Sequence, residues 1–374
     1  MQPMFLMIKP VSGSCNMRCA YCFYADEACK RETSSMGRMA LETAQAVINR
    51  ALDCSDRECT FAFQGGEPTL AGLGFFREFA NRVRQHPRAK QVQVHYVLQT
   101  NGLLLDNEWA TWLKEERVLV GISLDGPKEY HDRNRVDAEG RGTFNRVMAS
   151  IRLLHKHGIA YNVLCVVNSS NARHAKQIYD FYKKNTIPYH QYIECLDPIY
   201  ESAGRHPYSL PPSQYAVFLK DLFDAWYRDM SNRRYVYNRY FENLMMILAG
   251  MKPESCSMRG SCDKQWVIEA DGSVYPCDFY ALDEWKIGNI TTDSFEEMDA
   301  ARAASGFIQW SEQKSEECES CKWYALCRGG CRKNREPVTA SSIARNYFCE
   351  AYQEFFDYAY PRLREVFSKY YRRQ

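Results

Sequence analysis

The sequence has little histidine, little net charge and no long apolar run. Eight histidines are spread over 374 residues, and none lies among the cysteine clusters described below. The 48 basic and 46 acidic residues leave a formal net charge of +2, which does not favour nucleic acid or an anionic membrane as a partner. No apolar run approaches the length of a membrane span, and the N-terminal MQPMFLMIKP lacks the features of a signal peptide. We therefore expect a cytoplasmic protein.

Cysteine, by contrast, is abundant and clustered, with 16 residues in the chain. Because cytosolic thiols stay reduced, we do not expect a disulfide framework. Regularly spaced cysteines in a cytosolic enzyme indicate metal or redox chemistry instead. The absence of histidine from the clusters favours iron held by thiolates over zinc held by mixed ligands.

Short apolar runs alternate with amphipathic stretches through the first half of the chain. The predicted strands are 5–8, 60–63, 92–98, 119–123, 161–167 and 190–194. The predicted helices between them are 40–52, 73–87, 107–116, 143–157 and 172–184. This alternation predicts an α/β fold with a parallel sheet. Six such units are too few for an eight-stranded barrel, so we expect a partial (β/α)6 TIM-like barrel with its chemistry at the C-terminal ends of the strands.

The composition changes twice after the sixth strand. We expect the barrel to occupy residues 1–210, a helical, aromatic-rich connector 211–253, and a small cysteine-rich domain 254–374. In the last domain QWVIEADGSVYPC predicts a hairpin that turns at Asp271-Gly272. A final helix is predicted over roughly 341–370.

The first cysteine motif, C-x3-C-x2-C, follows the first predicted strand at Cys15, Cys19 and Cys22. Three thiolates on one loop can bind three irons of a [4Fe–4S] cluster and leave the fourth iron open to a small molecule. The aromatic side chains of Tyr21 and Phe23 would shield such a cluster from water. The alternatives are a zinc loop, which would need a fourth ligand nearby, and three unrelated thiols.

This loop resembles that of the radical S-adenosylmethionine (SAM) superfamily. The resemblance implies that the open iron binds SAM, which is cleaved to methionine and a 5′-deoxyadenosyl radical that takes a hydrogen atom from the substrate. It also implies a set of cofactor-binding residues in the loops after the strands: Tyr21, Gly65, Gly66, Glu67, Ser123, Arg135 and Leu196. A tight turn for the GGE segment, a surface ion pair for Arg135 and a plain core position for Leu196 are the competing interpretations.

Eight cysteines between 256 and 349 match the number that two fully ligated four-iron clusters need. The spacing alone also allows two structural zinc sites. The arrangement resembles the SPASM domain of peptide-modifying radical enzymes, and the resemblance implies two interleaved ligand sets. These sets are Cys256, Cys262, Cys277 and Cys331 for one cluster, and Cys318, Cys321, Cys327 and Cys349 for the other. The chain would thus carry three [4Fe–4S] clusters and use SAM.

Five cysteines remain outside these sets. Cys59 and Cys165 fall on or beside predicted strands and are expected to be small buried hydrophobic residues. Cys29 and Cys54 are expected to be surface or loop thiols, and Cys195 receives no role.

End to end, the chain is similar to the anaerobic sulfatase-maturating enzymes. The matching segments are IKPVSGSCNMRCAYCFY, FAFQGGEPTLAG, LQTNG, VGISLDGPKEYHDRNR, ECLDPIYE and GSVYPCDFYALDEWKIGNI. The resemblance implies oxidation of a cysteine or serine of a target sulfatase to Cα-formylglycine, with Asp278 as the catalytic base. A turn-capping role is the alternative for Asp278.

The resemblance also implies the partners. These are a sulfatase segment of the type Cys-x-Pro-x-Arg and an electron donor such as flavodoxin or ferredoxin, with the enzyme itself a monomer. Another peptide-modifying maturase, for example a thioether-forming one, is the alternative function. Such enzymes usually carry an additional N-terminal module, for which a first strand at residue 5 leaves no room. A non-catalytic electron carrier and a zinc protein that binds nucleic acid are weaker alternatives.

Overall fold

Strands and helices alternate from residue 4 to residue 194 in the computed structural model, which describes residues 3–371. The strands are β1 (Met4–Ile8), β2 (Glu58–Phe63), β3 (Gln93–Thr100), β4 (Leu119–Ser123), β5 (Tyr161–Val167), β6 (Tyr189–Glu194), β7 (Tyr237–Asn238), β8 (Trp266–Ile268), β9 (Ser273–Tyr275) and β10 (Gly288–Asn289). The helices are α1 (Phe23–Lys30), α2 (Leu41–Cys54), α3 (Leu73–Gln85), α4 (Asn107–Glu115), α5 (Lys128–Asn134), α6 (Phe144–His157), α7 (Ala175–Lys184), α8 (Pro212–Ser231), α9 (Arg239–Leu248), α10 (Phe295–Ala304), α11 (Phe307–Ser311), α12 (Glu316–Glu319), α13 (Tyr324–Cys327) and α14 (Cys349–Tyr370).

The six predicted strands are confirmed as β1 to β6, and β4 and β5 have the predicted bounds. The five predicted helices between them are confirmed as α2, α3, α4, α6 and α7. Helices α1, α5 and α10 to α13 were not predicted, and neither were the short strands β7 and β10. The prediction of the final helix was wrong at its start, since α14 begins at Cys349 rather than at 341. The residues before it form a turn, in which Thr339 N donates to Ser342 O and Val338 bridges Ile343.

Close contacts divide the described residues into two units. Unit 1 comprises 3–123, 132–161 and 264–305, and its strand order is β10-β9-β8-β1-β2-β3-β4. Strands β1 to β4 run parallel, and β8 is parallel to β1. Strand β9 is antiparallel to both β8 and β10. The predicted hairpin is confirmed, because β8 and β9 are joined by a turn in which Gly272 has a φ of +88°.

Packing in the core of unit 1 fixes the register of β1 against β2, so these two strands end side by side. Ile8 of β1 is opposite Phe63 of β2, and both side chains are buried. Phe63 packs edge-to-face on Phe76 and Phe79 of α3, with ring centroids 4.9 and 5.1 Å apart. A slip of one residue would turn these side chains out of the core, so burial fixes the register. The loops that follow β1 and β2 therefore begin at the same edge of the sheet.

Unit 2 comprises 124–131, 162–263 and 306–371. Its strands β5, β6 and β7 are parallel neighbours. The predicted connector contains α8, the short β7 and α9, and Phe223 of α8 packs on Phe241 of α9 and Phe355 of α14. No helix within residues 3–371 is long and apolar enough to cross a membrane.

Candidate active site

The loop with the first three cysteines is fixed to the segment 134–137 by backbone hydrogen bonds. Arg18 N donates to Val136 O at 2.8 Å, and Ala20 N donates to Asn134 O at 3.0 Å. The loop ends where α1 begins, with Cys22 at the N-terminal cap of that helix. Backbone N–H groups at this end of the helix favour negative charge on Cys22, but burial outweighs them and raises the pKa of the thiol.

The three thiols lie close enough to influence one another. Burial, partly offset by the Met17 N–H, raises the pKa of Cys15 to about 12, and the neighbouring Cys19 and Cys22 add to the increase. The Met17 N–H donates to Cys15 Sγ at 3.3 Å. Thiols with a raised pKa keep their protons until a metal displaces them, so cluster binding would release protons.

The GGE segment after β2 packs directly on the backbone that leads into the cysteine loop. Gly66 N donates to Ser12 O at 2.9 Å, and Glu67 N donates to Ser14 O at 2.8 Å. A Cβ at Gly66 would lie 2.1 Å from Ser14 O, and Gly65 has a φ of +110°. Both positions therefore need glycine, the first for a close approach and the second for its backbone conformation.

The Glu67 side chain points into protein rather than solvent and is fully buried. Its Oε1 accepts from Thr69 N (3.0 Å), Thr69 Oγ1 (2.5 Å) and Thr100 Oγ1 (2.7 Å), while Oε2 accepts from Asn101 N (2.7 Å). This carboxylate joins the loops after β2 and β3, since its four hydrogen bonds come from both. A cofactor contact by Glu67 stays a prediction.

Arg135 lies beside the cysteine loop rather than on the surface, with 7% of its surface exposed. Its guanidinium lies 3.9 Å from Cys19 Sγ and 5.4 Å from the centre of the Tyr21 ring. Ser123, at the end of β4, accepts a hydrogen bond from Gln99 at 3.3 Å. The alternative of a surface ion pair for Arg135 does not fit this burial.

Asp278 is 5% exposed and begins a 3₁₀ turn directly after Cys277 in unit 1. Its Oδ2 accepts from Tyr24 Oη at 2.6 Å and from Gln64 Nε2 at 2.8 Å. Burial and the neighbouring Asp278 carboxylate raise the pKa of Tyr24, so the phenol stays protonated and donates. The amide of Gln64 also donates to Tyr24 Oη, at 2.7 Å.

The sequence analysis assigned no role to Tyr24 or Gln64, although the position of each in its element could have indicated one. Gln64 is the first residue after β2, at the edge of the sheet where chemistry is expected. Tyr24 lies in α1 three residues before Glu27, so the two side chains share one helix face. A polar residue directly after an apolar strand is the signal that could have identified Gln64.

The C-terminal cysteines of unit 2 form two sets. Burial, together with the neighbouring Cys256 and Cys262, raises the pKa of Cys331. Burial also raises the pKa of Cys327 to about 12, with further contributions from Cys349, Cys318 and Cys321. Those last four cysteines line one cleft, which is also lined by Trp323, Tyr324, Tyr352 and Phe356.

The donor sets fit iron–sulfur clusters. Cys256 and Cys262 are near Cys331 in unit 2, and Cys318, Cys321 and Cys349 are near Cys327 in the same unit, while the two ligand sets stay predictions. Cys277 belongs to unit 1, and the predicted SAM contact Leu196 is a half-buried residue of unit 2. The remaining cysteines agree with expectation, since Cys59 and Cys165 are buried and Cys29 is exposed.

Comparison with known proteins defines the class. The profile of the radical SAM superfamily matches residues 10–182, and that of SPASM, an iron–sulfur cluster-binding domain, matches 256–322. Together with the parallel sheet and the three cysteine sets, these matches define a radical SAM enzyme with a SPASM domain.

The chain is 46% identical over 357 residues to a cysteine-type anaerobic sulfatase-maturating enzyme of Clostridium novyi, covering 96% of this chain and 95% of that one. It is 45% identical over 366 residues to the enzyme of the same description from Clostridium perfringens, covering 98% and 99%. A solved structure described as native anSMEcpe with bound AdoMet and Cp18Cys peptide has a TM-score of 0.92 and 45% identity, covering 98% and 99%. The chain belongs to the anaerobic sulfatase-maturating enzymes.

Membership of this family confirms several predictions. The fold is a radical SAM partial barrel with a SPASM domain, the cofactors are [4Fe–4S] clusters, three in number, and SAM, and the activity is formylglycine generation. The enzyme acts on a peptide substrate. Paired zinc sites, a non-catalytic electron carrier and a thioether-forming maturase are therefore not supported.

Proposed function

We propose that this enzyme oxidises a cysteine, rather than a serine, of its target sulfatase. The two Clostridium relatives compared above are described as cysteine-type, and they are 45–46% identical to this chain, whereas serine-type relatives are 29–30% identical. The similar solved structure is described with a Cp18Cys peptide. The side chain would lie in a segment of the type Cys-x-Pro-x-Arg. A serine in the same place is the alternative that the experiment below must exclude.

The reaction removes one hydrogen atom, one proton and one electron from the cysteine. When bound, SAM and the first cluster supply the 5′-deoxyadenosyl radical that takes the hydrogen atom. The proton requires a base, and the product thioaldehyde is hydrolysed by water to the aldehyde with release of sulfide. The electron requires an acceptor, which the auxiliary clusters would supply.

We assign the base to Asp278, because its carboxylate is held in one orientation beside a predicted cluster ligand. Tyr24 Oη and Gln64 Nε2 both donate to Oδ2, at 2.6 and 2.8 Å. Two donors on one oxygen fix the rotation of the carboxylate, and a positioned carboxylate suits proton abstraction. Cys277, the next residue along the chain, would place an electron acceptor beside this base.

The other assignments rest on the resemblance to the family, and Arg135 also has support from its position. The first cluster would be held by Cys15, Cys19 and Cys22, and the auxiliary clusters by the two interleaved sets. SAM would contact Tyr21, the Gly65-Gly66-Glu67 segment, Ser123, Arg135 and Leu196. Arg135 supports this role, because its buried guanidinium suits the carboxylate of a ligand next to the cysteine loop.

The remaining proposals concern organisation and partners. Residues 1–210 would form the radical SAM domain, 211–253 the connector and 254–374 the auxiliary-cluster domain. The enzyme would act as a monomer in the cytoplasm and receive electrons from a flavodoxin or a ferredoxin.

The test is an anaerobic assay of the reconstituted holoenzyme with three matched peptides. They carry Cys, Ser or Ala at the target position of one Cys-x-Pro-x-Arg sequence, and mass spectrometry follows each together with 5′-deoxyadenosine. We expect aldehyde from the Cys peptide at a rate at least tenfold above that from the Ser peptide. Equal rates would overturn the cysteine preference.

The Asp278→Asn variant tests the base in the same assay. Removing general base catalysis is expected to lower aldehyde formation by about 10²- to 10⁴-fold while SAM cleavage continues. An Asp26→Asn variant, at a partly exposed carboxylate of α1, is the control. Normal aldehyde formation by Asp278→Asn would remove Asp278 from the mechanism.

A further inference from the structure

A buried group of charges lies behind Asp278, and Lys9 is at its centre. The Lys9 Nζ atom is 3.2 Å from Asp278 Oδ1, 3.3 Å from Glu27 Oε2 and 3.8 Å from Glu269 Oε1. Side-chain exposure is 1% for Lys9 and at most 8% for the three acids. A lysine buried this deeply requires partners, and here it has three.

The fold brings these four side chains together from four elements of unit 1. Lys9 and Glu269 directly follow the paired residues Ile8 and Ile268 of the parallel strands β1 and β8, and Lys9 N donates to Ile268 O at 2.8 Å. Glu27 lies on the inner face of α1. Asp278 follows the β8–β9 hairpin. The charges thus meet at one edge of the unit 1 sheet.

Arg31 completes the group and fixes its far side. Its Nη1 atom lies 2.7 Å from Glu269 Oε1, and its Nη2 atom lies 3.8 Å from Glu27 Oε2. Arg31 Nε also donates to the backbone carbonyl of Ala281. Arg31 therefore holds Glu27 and Glu269 in place independently of Asp278. These two carboxylates fix the position of the Lys9 ammonium.

The two oxygens of Asp278 have different surroundings. Oδ2 accepts the hydrogen bonds of Tyr24 and Gln64, whereas no donor among residues 3–371 is aligned for a hydrogen bond to Oδ1. Lys9 approaches Oδ1 within ion-pair distance. Its contribution is therefore electrostatic, and it acts on the oxygen that Tyr24 and Gln64 leave free.

We propose that Lys9 is a positioning residue for formylglycine formation, which holds the Asp278 carboxylate in its working orientation through Oδ1. This inference rests on the proposed role of Asp278 as the base. Lys9 remains charged, because Glu27, Asp278 and Glu269 outweigh the effect of burial and raise its pKa. Without this ammonium the buried group would contain three carboxylates and one guanidinium, and mutual repulsion would turn Asp278 away from its place.

The test compares Lys9→Met with Lys30→Met in the anaerobic peptide assay. Lys30 is an exposed residue of α1 that pairs with Asp26 at 2.5 Å, so its variant is the matched control. The readout is the ratio of aldehyde to 5′-deoxyadenosine, which a merely structural role would not change. We expect Lys9→Met to lower this ratio by about 100-fold, as loss of a positioned group does, with SAM cleavage within about threefold of the parent. Lys9→Arg should recover part of the ratio.

A second variant protects the test against misfolding. Lys9→Met combined with Glu27→Gln removes one positive and one negative charge, so the group keeps its net charge. Iron content and melting temperature should match the parent, while the ratio should stay low because Oδ1 still has no cation. If neither variant folds, Lys9 is a scaffold residue and the inference is overturned.

Asp278→Asn, measured in parallel, separates the two proposals. If Asp278→Asn keeps the parental ratio, the proposed base is wrong and the role of Lys9 falls with it. If the ratio of aldehyde to 5′-deoxyadenosine falls in Asp278→Asn but not in a folded Lys9→Met variant, Asp278 remains the proposed base. The inference about Lys9 alone is then refuted. If the ratio falls in both variants and Lys9→Arg recovers part of it, the proposed base and the role of Lys9 are both supported.

Discussion

Replacing Gly66 with alanine should disable the first cluster loop while leaving the rest of the chain folded. The added Cβ would lie 2.1 Å from Ser14 O and 2.6 Å from the backbone of Gly13. Ordinary contact begins at 3.4 Å, so one of the two loops must move by about 1.3 Å. Cys15 is the next residue after Ser14, so the movement is passed to a predicted cluster ligand.

The magnitude follows from the contacts that the movement breaks. Two backbone hydrogen bonds, from Gly66 to Ser12 and from Glu67 to Ser14, contribute about 0.5–1.5 kcal/mol each. Overpacking adds about 1–3 kcal/mol, so the free energy of unfolding should fall by about 2–6 kcal/mol. For a unit of this size, that lowers the melting temperature by at least about 4 °C. A displacement of about 1 Å at a reacting centre costs about 100-fold in rate.

The assay measures melting temperature and 5′-deoxyadenosine formation of the holoenzyme under anaerobic conditions. The control is Gly74→Ala, because Gly74 lies in α3 and a Cβ there would meet nothing within 4 Å. That variant should gain about 0.5–1 kcal/mol from the better helix propensity of alanine. Parental melting and SAM cleavage in Gly66→Ala would refute the packing of the two loops described here.

Three further predictions concern other parts of the chain. Cys349→Ala should lose the iron of one cluster and keep the other two clusters. The control Cys29→Ala, at an exposed cysteine, should keep all three clusters. Full iron content in Cys349→Ala would reject the ligand assignment. Burial lowers the pKa of His190 from 6.5 to about 4, so the folded protein should lose stability as pH falls below 6.5, by up to about 3 kcal/mol near pH 4. His190→Gln should reduce this loss, and an unchanged pH dependence of melting would contradict it. Ser294→Ala removes the capping box of α10 and should cost about 1 kcal/mol without changing activity, which urea denaturation and the peptide assay would check together.

The sequence by itself determined the six strands β1 to β6 and the spacing of the cysteines, because both are properties of short segments. Short apolar runs bounded by turn residues favour strands, and β4 and β5 have the bounds that the pattern predicts. The C-x3-C-x2-C spacing depends only on neighbouring residues. The resemblance of this loop to that of the radical SAM superfamily indicated the class of enzyme before any contact was known, and the matching segments indicated the family.

Tertiary structure alone decided which distant side chains meet. Lys9 and Glu269 are 260 positions apart, and they face each other only because β8 pairs with β1. The sequence gives no sign of that pairing, since strand propensity does not specify a partner. The short helix α1 was not predicted, so its inward-facing Tyr24 and Glu27 were missed as well. The ion pairs and hydrogen bonds around Asp278 depend on contacts across the chain, and therefore only the fold could reveal them.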